Sequence, residues 1–392
     1  MAALGLLSAC NSDKEVFIEP LQLEKTEEKT VIQTNAIEQD WAGVDAHYDI
    51  KTSVVSFRTK NLAGKTVSAT GVVYIPVTKD TLPLMFYQPS LLDNYAERPS
   101  TGQYAGNSRE AIAFASAGYI VTVVDWAASP DLTPFFQADA AAQAGYDLLT
   151  AAFEMCDRQH IKTNNQIFMA GSEDGAYTML ALMRLIKTSY GHNSRFVVAG
   201  ATTTAGFIDP AELMERVAQK DDVSSNELAL CAALVIRYNQ YYGWNRDLSH
   251  YFKQAYLDEV SALCTEQKFE GELFKTKMPK KASQLFTSEF LKGLEAGFEV
   301  KSNKGKGKGN SKDDESEFIA ALQANSLKDF MPQTYMRMFQ ETSNRSISWE
   351  QIELFFRLVA TGGIGHVRIS LCTDRAQYIS KSLEWLEPIR KH

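Results

Sequence analysis

The stretch Gln166–Ala181, QIFMAGSEDGAYTMLA, constrains this chain more than any other. A short apolar run leads into two glycines that bracket three residues, and helix formers follow. That order predicts a strand, a tight turn and a helix start. A turn of this build is a nucleophile elbow, G-x-S-x-G, which holds its middle residue on a strained apex above a parallel sheet. Gly171 and Gly175 have the required spacing, but the apex residue is Glu173. Ser172 stands one place before it and Asp174 one place after.

The surrounding pattern is that of an α/β chain. From Tyr48 to Pro76, β-branched residues alternate around a glycine-containing turn and predict an antiparallel strand pair. Apolar runs at Leu82–Gln88, Tyr119–Val124 and Phe196–Ala201 read as buried strands. They alternate with predicted helices at Ser108–Gly118 and Asp139–Cys156, so the sheet is expected to be mainly parallel. A further strand is expected at Tyr335–Phe339, a helix at Trp349–Ala360, a strand at His366–Leu371 and a closing helix at Gln377–Ile389.

The expected organisation has four parts. Residues 1–38 form a flexible tether, 39–207 the first part of the α/β core, 208–329 a helical cap insertion, and 330–392 the second part of the core. Within the insertion, Lys301–Glu317 is built of Lys, Gly, Asn, Ser and acids, a composition that cannot support a core. The aromatic clusters Tyr241–Trp244 and Tyr251–Phe252 are expected to pack the cap helices.

A formal net charge of −8 and the lack of a basic stripe argue against nucleic acid as a partner. The five cysteines, Cys10, Cys156, Cys231, Cys264 and Cys372, include no CxxC pair, so no metal centre is expected and most should be buried thiols. No cofactor motif is present. At the N-terminus, Leu7-Ser8-Ala9-Cys10 resembles a bacterial lipobox, behind an apolar segment with no preceding Lys or Arg. That resemblance implies lipid attachment at Cys10, a cell-envelope location, and membrane association through this anchor alone.

Several segments together resemble the α/β-hydrolase superfamily, in its branch of bacterial esterases related to secretory lipases. Asp125-Trp126 with Pro134-Phe135-Phe136 is similar to that branch's D-Y…H-P-Y segment, and IFMAGSEDGAYTMLAL to its elbow. Asn325-Ser326-Leu327, Met336-Arg337-Met338 and the closing Ser382–Arg390 extend the likeness. The resemblance implies an α/β-hydrolase fold with a mainly parallel sheet, flanking helices and a large helical cap.

Aligned without gaps, however, the family's serine falls on Glu173 and its acid on Asn344. Its histidine falls near Leu371–Thr373, where there is none, and Pro89-Ser90 replaces the His-Gly of the oxyanion region, to which Asp174 also belongs. Acyl transfer needs a hydroxyl activated by an imidazole that a carboxylate orients. The expectation is therefore a pseudo-hydrolase that binds a small-molecule or lipid-like ligand, or a partner. The alternative is an active carboxylesterase or lipase with a relocated triad, in which Ser172 or another serine is the nucleophile and His366 or His250 the base. Glu173 as a carboxylate nucleophile is a third arrangement; otherwise Glu173 and Asp174 are expected to be solvated at the helix start. Asp374 and Cys372 are expected near one corner of the pocket.

Overall fold

The strands of this chain are stacked by their burial patterns. Leu82–Gln88 (β4) and Ile120–Val124 (β5) are buried at every position, as strands covered on both faces must be. The computed structural model describes residues 22–40, 44–90, 99–101, 108–126, 135–190, 196–206, 209–265, 276–302, 315–342 and 366–390. The strands before β4 are Leu23–Ile32 (β1), Ile50–Lys60 (β2) and Thr66–Pro76 (β3). Those after β5 are Thr163–Gly171 (β6), Val197–Thr204 (β7), Met336–Glu341 (β8) and Val367–Cys372 (β9). They form one sheet in the order β1-β2-β3-β5-β4-β6-β7-β8-β9. The pairings β1–β2, β2–β3 and β3–β5 are antiparallel, and all those from β5 to β9 are parallel.

β1 corrects the expectation of a flexible tether to residue 38. Its sequence, LEKTEEKTVI, buries only the terminal Leu23 and Ile32, and it pairs with β2 along the sheet edge. Charged side chains on an exposed edge oppose pairing with other chains, and the same charges hide the strand in the sequence. The segment Thr34–Asp40 (α1) follows it.

Side chains alternate between two cores. On one face, Met85, Tyr87, Val121, Phe168 and Phe339 pack with Ser108–Ser116 (α2). On the other, Leu84, Phe86, Ile120 and Met169 pack with Ala138–Arg158 (α3) and Gly175–Leu185 (α4). Cys156, Cys231 and Cys372 are buried free thiols.

Between β7 and β8 the described chain is helical: Pro210–Gln219 (α5), Ser225–Tyr241 (α6), Leu257–Thr265 (α7), Ser288–Ser302 (α8) and Ser316–Ala324 (α9), with single turns at Leu248–Tyr251 and Ala282–Leu285. Asp209 caps α5 by accepting from the Ala211 N–H at 3.0 Å, and Ser224 and Glu227 form a reciprocal capping box on α6. Tyr251, Phe252, Phe286, Phe290 and Phe318 are buried within this layer, while Tyr242 stacks on Trp244 at 5.1 Å nearer its surface.

The helical layer is pinned to the elbow side of the sheet. Tyr177 Oη lies 2.6 Å from the Asn325 carbonyl and Tyr238 Oη donates to the Phe136 carbonyl at 2.7 Å. Arg375–Arg390 (α10) closes the chain on the α2 face. Among the described residues, no helix is long and apolar enough to cross a membrane. The expected helix at Trp349–Ala360 lies outside the described residues.

Candidate functional site

The elbow is built by close approach. A Cβ at Gly175 would stand 2.1 Å from the Gln88 carbonyl oxygen, and one at Gly171 would stand 2.8 Å from the Gly175 carbonyl oxygen. Only glycine lets β6, the turn and α4 pass so near the end of β4. The apex residue Glu173 has φ +52°, the left-handed region that a residue with a Cβ enters at a cost of about 1–2 kcal/mol. Its backbone N–H donates to Thr204 Oγ1 at 2.8 Å, which holds the strained turn against the end of β7.

The expectation that Glu173 and Asp174 are solvated is corrected. The Glu173 side chain is 13% exposed and its Oε1 accepts from Arg375 Nη2 at 2.7 Å. Asp174 is buried and accepts from Ser90 Oγ at 2.5 Å. Ser90 and Asp174 thus tie the end of β4 to the first turn of α4, and Pro89 contributes its carbonyl to the packing around Gly175.

Arg375 organises the rest. It is the first residue of α10, just past the end of β9, and it reaches three carboxylates. Nη1 donates to Glu110 Oε1 at 2.9 Å and Nη2 to Glu173. Nε lies 2.8 Å from Glu341 Oε1, a contact of opposite charges without hydrogen-bond alignment. One guanidinium therefore joins α2, the elbow apex and the end of β8. Burial pushes the Glu341 carboxyl up to about 7. Arg375 opposes that rise, while Glu173, Glu110 and Asp374 add to it. Burial likewise raises the neighbouring Cys372 thiol to about 12, which leaves it a thiol rather than a thiolate at neutral pH.

Ser172 is fully buried beneath the apex. Its Oγ donates to Glu110 Oε2 at 2.9 Å and lies 3.1 Å from Tyr87 Oη. The structure therefore does not support the expected relocation of a nucleophile to Ser172, because its hydroxyl faces the α2 core rather than the apex. His366 sits at the entry of β9, where its carbonyl accepts from the Met336 N–H and its ring lies on Tyr335. The elbow is at the exit ends of the parallel strands, about 17 Å away by strand length alone. His250 is exposed at the surface of the helical layer and is engaged there, with Nε2 2.7 Å from the buried Glu315 Oε1 and 3.3 Å from Arg246 Nη1. Among the described residues no imidazole hydrogen-bonds to Glu173, Glu341 or Ser172. Asp374 caps α10 by accepting from the Gln377 N–H at 2.9 Å, which holds its carboxyl below the usual range. Asn344 and Cys10 lie outside the described residues, and so does His192. No group of His, Cys, Asp or Glu among the described residues is arranged to hold a metal ion.

Sequence reasoning missed Arg375, Glu341 and Glu110 as members of this cluster. A cation just beyond the stretch to which the family resemblance assigns a histidine was one available signal. Glu341, at the end of the penultimate strand, was another, but the ungapped alignment drew attention to Asn344 instead.

No family model matches this chain, and no curated protein sequence matches it. Solved structures do. A candidate hydrolase from Legionella pneumophila aligns with a TM-score of 0.76 at 15% identity, covering 95% of this chain and 99% of that one. The rice cell wall degrading esterase LipA from Xanthomonas oryzae aligns at 0.71 and 15% identity over 94% of this chain and 96% of that one. Candida antarctica lipase A in its closed state aligns at 0.59 and 12% identity over 90% of this chain and 77% of that one.

Proposed function

We propose that this chain, whose fold is the α/β-hydrolase fold of esterases and lipases, acts by binding rather than by ester hydrolysis. The observation that carries the reading is the Arg375 clamp on Glu173 and Glu341. In the working arrangement the apex holds a nucleophile, a histidine follows the last strand, and an acid follows the penultimate one. Here those three places hold a carboxylate, a guanidinium and a carboxylate. Arginine stays protonated at all ordinary pH, so it cannot act as a general base. A carboxylate held in an ion pair with it is a weakened nucleophile, and no imidazole among the described residues stands by to activate water for a second step. The exit ends of the strands, beneath the helical layer, are the proposed binding region, because open α/β sheets place their ligands there. A small-molecule or lipid-like ligand, or a protein partner, is the proposed occupant. The chain is also proposed to be lipid-anchored at Cys10 in a bacterial cell envelope, on the strength of its lipobox-like Leu7–Cys10.

The test is direct. Purified full-length protein is treated with a fluorophosphonate probe and with short-chain nitrophenyl esters. Absence of serine labelling and of turnover above buffer is the expected result; stoichiometric labelling of one serine would overturn the reading. The anchor is tested separately by detergent-phase partition and mass of the N-terminal peptide. Recovery in the aqueous phase without added lipid would remove it.

A further inference from the structure

On the α2 face the buried acids share the Arg375 guanidinium, whereas on the opposite face of the sheet at the same end two buried amides carry atoms that lack partners among the described residues. Gln88, the last residue of β4, is 1% exposed, and its Oε1 has no hydrogen-bond partner among the described residues. Among those residues its Nε2 reaches only the adjacent Pro89 carbonyl, at 3.4 Å. Gln137, the residue before α3, is 2% exposed, and neither Oε1 nor Nε2 has a partner among the described residues. A buried donor or acceptor left unmade costs about 1–3 kcal/mol, and buried polar side chains are as a rule paired with protein, water or ligand.

The fold places these two residues toward the same end of one face of the sheet. Along β4, Gln88 shares the alternation of Leu84 and Phe86, which face α3 and α4. Helix α3 links the parallel strands β5 and β6, so it runs back along the sheet and its first residues stand over the strands' exit ends. Their levels can be compared at Gly145, where an added Cβ would be 3.1 Å from Phe86 Cε2. Gln137 precedes Gly145 by just over two turns, about 12 Å. Gln88 lies one side-chain repeat beyond Phe86, about 7 Å in the same direction. The two residues therefore differ by about 5 Å in height across one packing layer. The neighbouring carbonyl of Phe136 is held by Tyr177 of the elbow helix at 3.2 Å, which fixes this corner against the elbow. Phe86, Phe135, Phe136 and Tyr177 supply buried apolar walls.

We propose that Gln88 and Gln137 form a ligand subsite for a small uncharged molecule with an apolar body and a head group that both donates and accepts hydrogen bonds, a carboxamide being the simplest. The inference rests on the binding reading above and names the class of ligand. Amides offer no charge to match an ion. The excess of carboxylates around Arg375 on the other face of the same sheet end disfavours an anionic head group. A carboxylate, the product of ester hydrolysis, is thus the wrong occupant.

Ligand-observed NMR titration of the full-length protein with hexanamide and with hexanoate tests the subsite. Saturable hexanamide binding is expected, at least about tenfold tighter than hexanoate, because a site built to pair buried polar groups rejects a mismatched head. Gln137→Met and Gln88→Met should each weaken hexanamide binding by about tenfold or more while leaving Tm unchanged or higher, since each removes unpaired buried atoms. Should a variant fail to fold, the wild-type Tm still decides, by rising with hexanamide and not with hexanoate. Equal affinity for the two probes, no saturable hexanamide binding, or binding unaffected in both variants would overturn the proposal and leave ordered water as the amides' partner. Fluorophosphonate labelling would overturn the non-catalytic reading without touching this result. Absence of hexanamide binding to the wild-type protein would remove the subsite and leave the Arg375 clamp as it stands.

Discussion

Arg375 Nη2 donates to Glu173 Oε1 at 2.7 Å, joining the first residue of the last helix to the strained apex of the elbow. The same side chain also binds Glu110 of α2 and contacts Glu341 of β8, so four separate stretches of chain meet on one guanidinium.

Removing that guanidinium takes away the cation that Glu110, Glu173 and Glu341 share among the described residues. Breaking one side of a buried pair costs about 3–5 kcal/mol, and the partial exposure of Arg375 reduces this. Arg375→Met is expected to lower stability by about 3 kcal/mol at pH 7.5 in urea denaturation. A loss below about 1 kcal/mol would mean that solvent already screens the acids.

Glu341 predicts a pH dependence with a definite sign. Burial raises its carboxyl from 4.5 to about 7, so the native state holds this proton more tightly than the unfolded chain does. Its stabilising effect is complete below pH 4.5 and is lost as pH rises through about 7. Burial raises Glu212 to about 7 as well, so the wild-type slope has two sources. The difference between wild type and Glu341→Gln isolates one of them. The variant should be more stable than wild type by about 1–2 kcal/mol at pH 7.5 after screening, and the gap should close by pH 4.5. A gap independent of pH would assign the effect to packing.

Glu173→Ser returns a hydroxyl to the apex, but it returns no base. Hydrolysis of nitrophenyl esters should stay at the buffer rate, because serine without an imidazole is a poor nucleophile at neutral pH. Measurable turnover in this variant, abolished by fluorophosphonate, would reveal a base that the described residues do not contain.

Gly175→Ala tests the close approach at the turn. Its new Cβ would meet the Gln88 carbonyl oxygen at 2.1 Å, and that backbone atom is itself held by the Ser172 N–H at 3.0 Å. A loss of about 3 kcal/mol or a failure to fold is expected, measured by calorimetry and soluble yield. Gly64, where an added Cβ meets nothing within 4 Å but φ is +75°, is the control, with a cost of about 1 kcal/mol.

Much of the scaffold was legible because local pattern and tertiary role agree. Leu82–Gln88 is uniformly apolar as far as Tyr87, and it is buried throughout. The glycine spacing announced the elbow, and φ +52° at Glu173 puts the apex where that spacing implies. β1 was not legible. An edge strand needs only Leu23 and Ile32 inside, and its LEKTEEKTVI reads as a solvated linker. Ser172 was misleading for a related reason. A serine beside an apex looks exposed in one dimension, yet the turn rotates it under the sheet onto Glu110 and Tyr87.

By itself the sequence determined the α/β layout and the tight elbow with Glu173 at its apex, because these depend on periodicity, glycine spacing and residue identity. Only the tertiary structure decided which side chains that apex meets. Glu110, Glu173, Glu341 and Arg375 are far apart along the chain, and charges couple through space within a few ångströms. No local pattern encodes such a meeting; it follows from strands whose exit ends converge and a final helix that begins where they do.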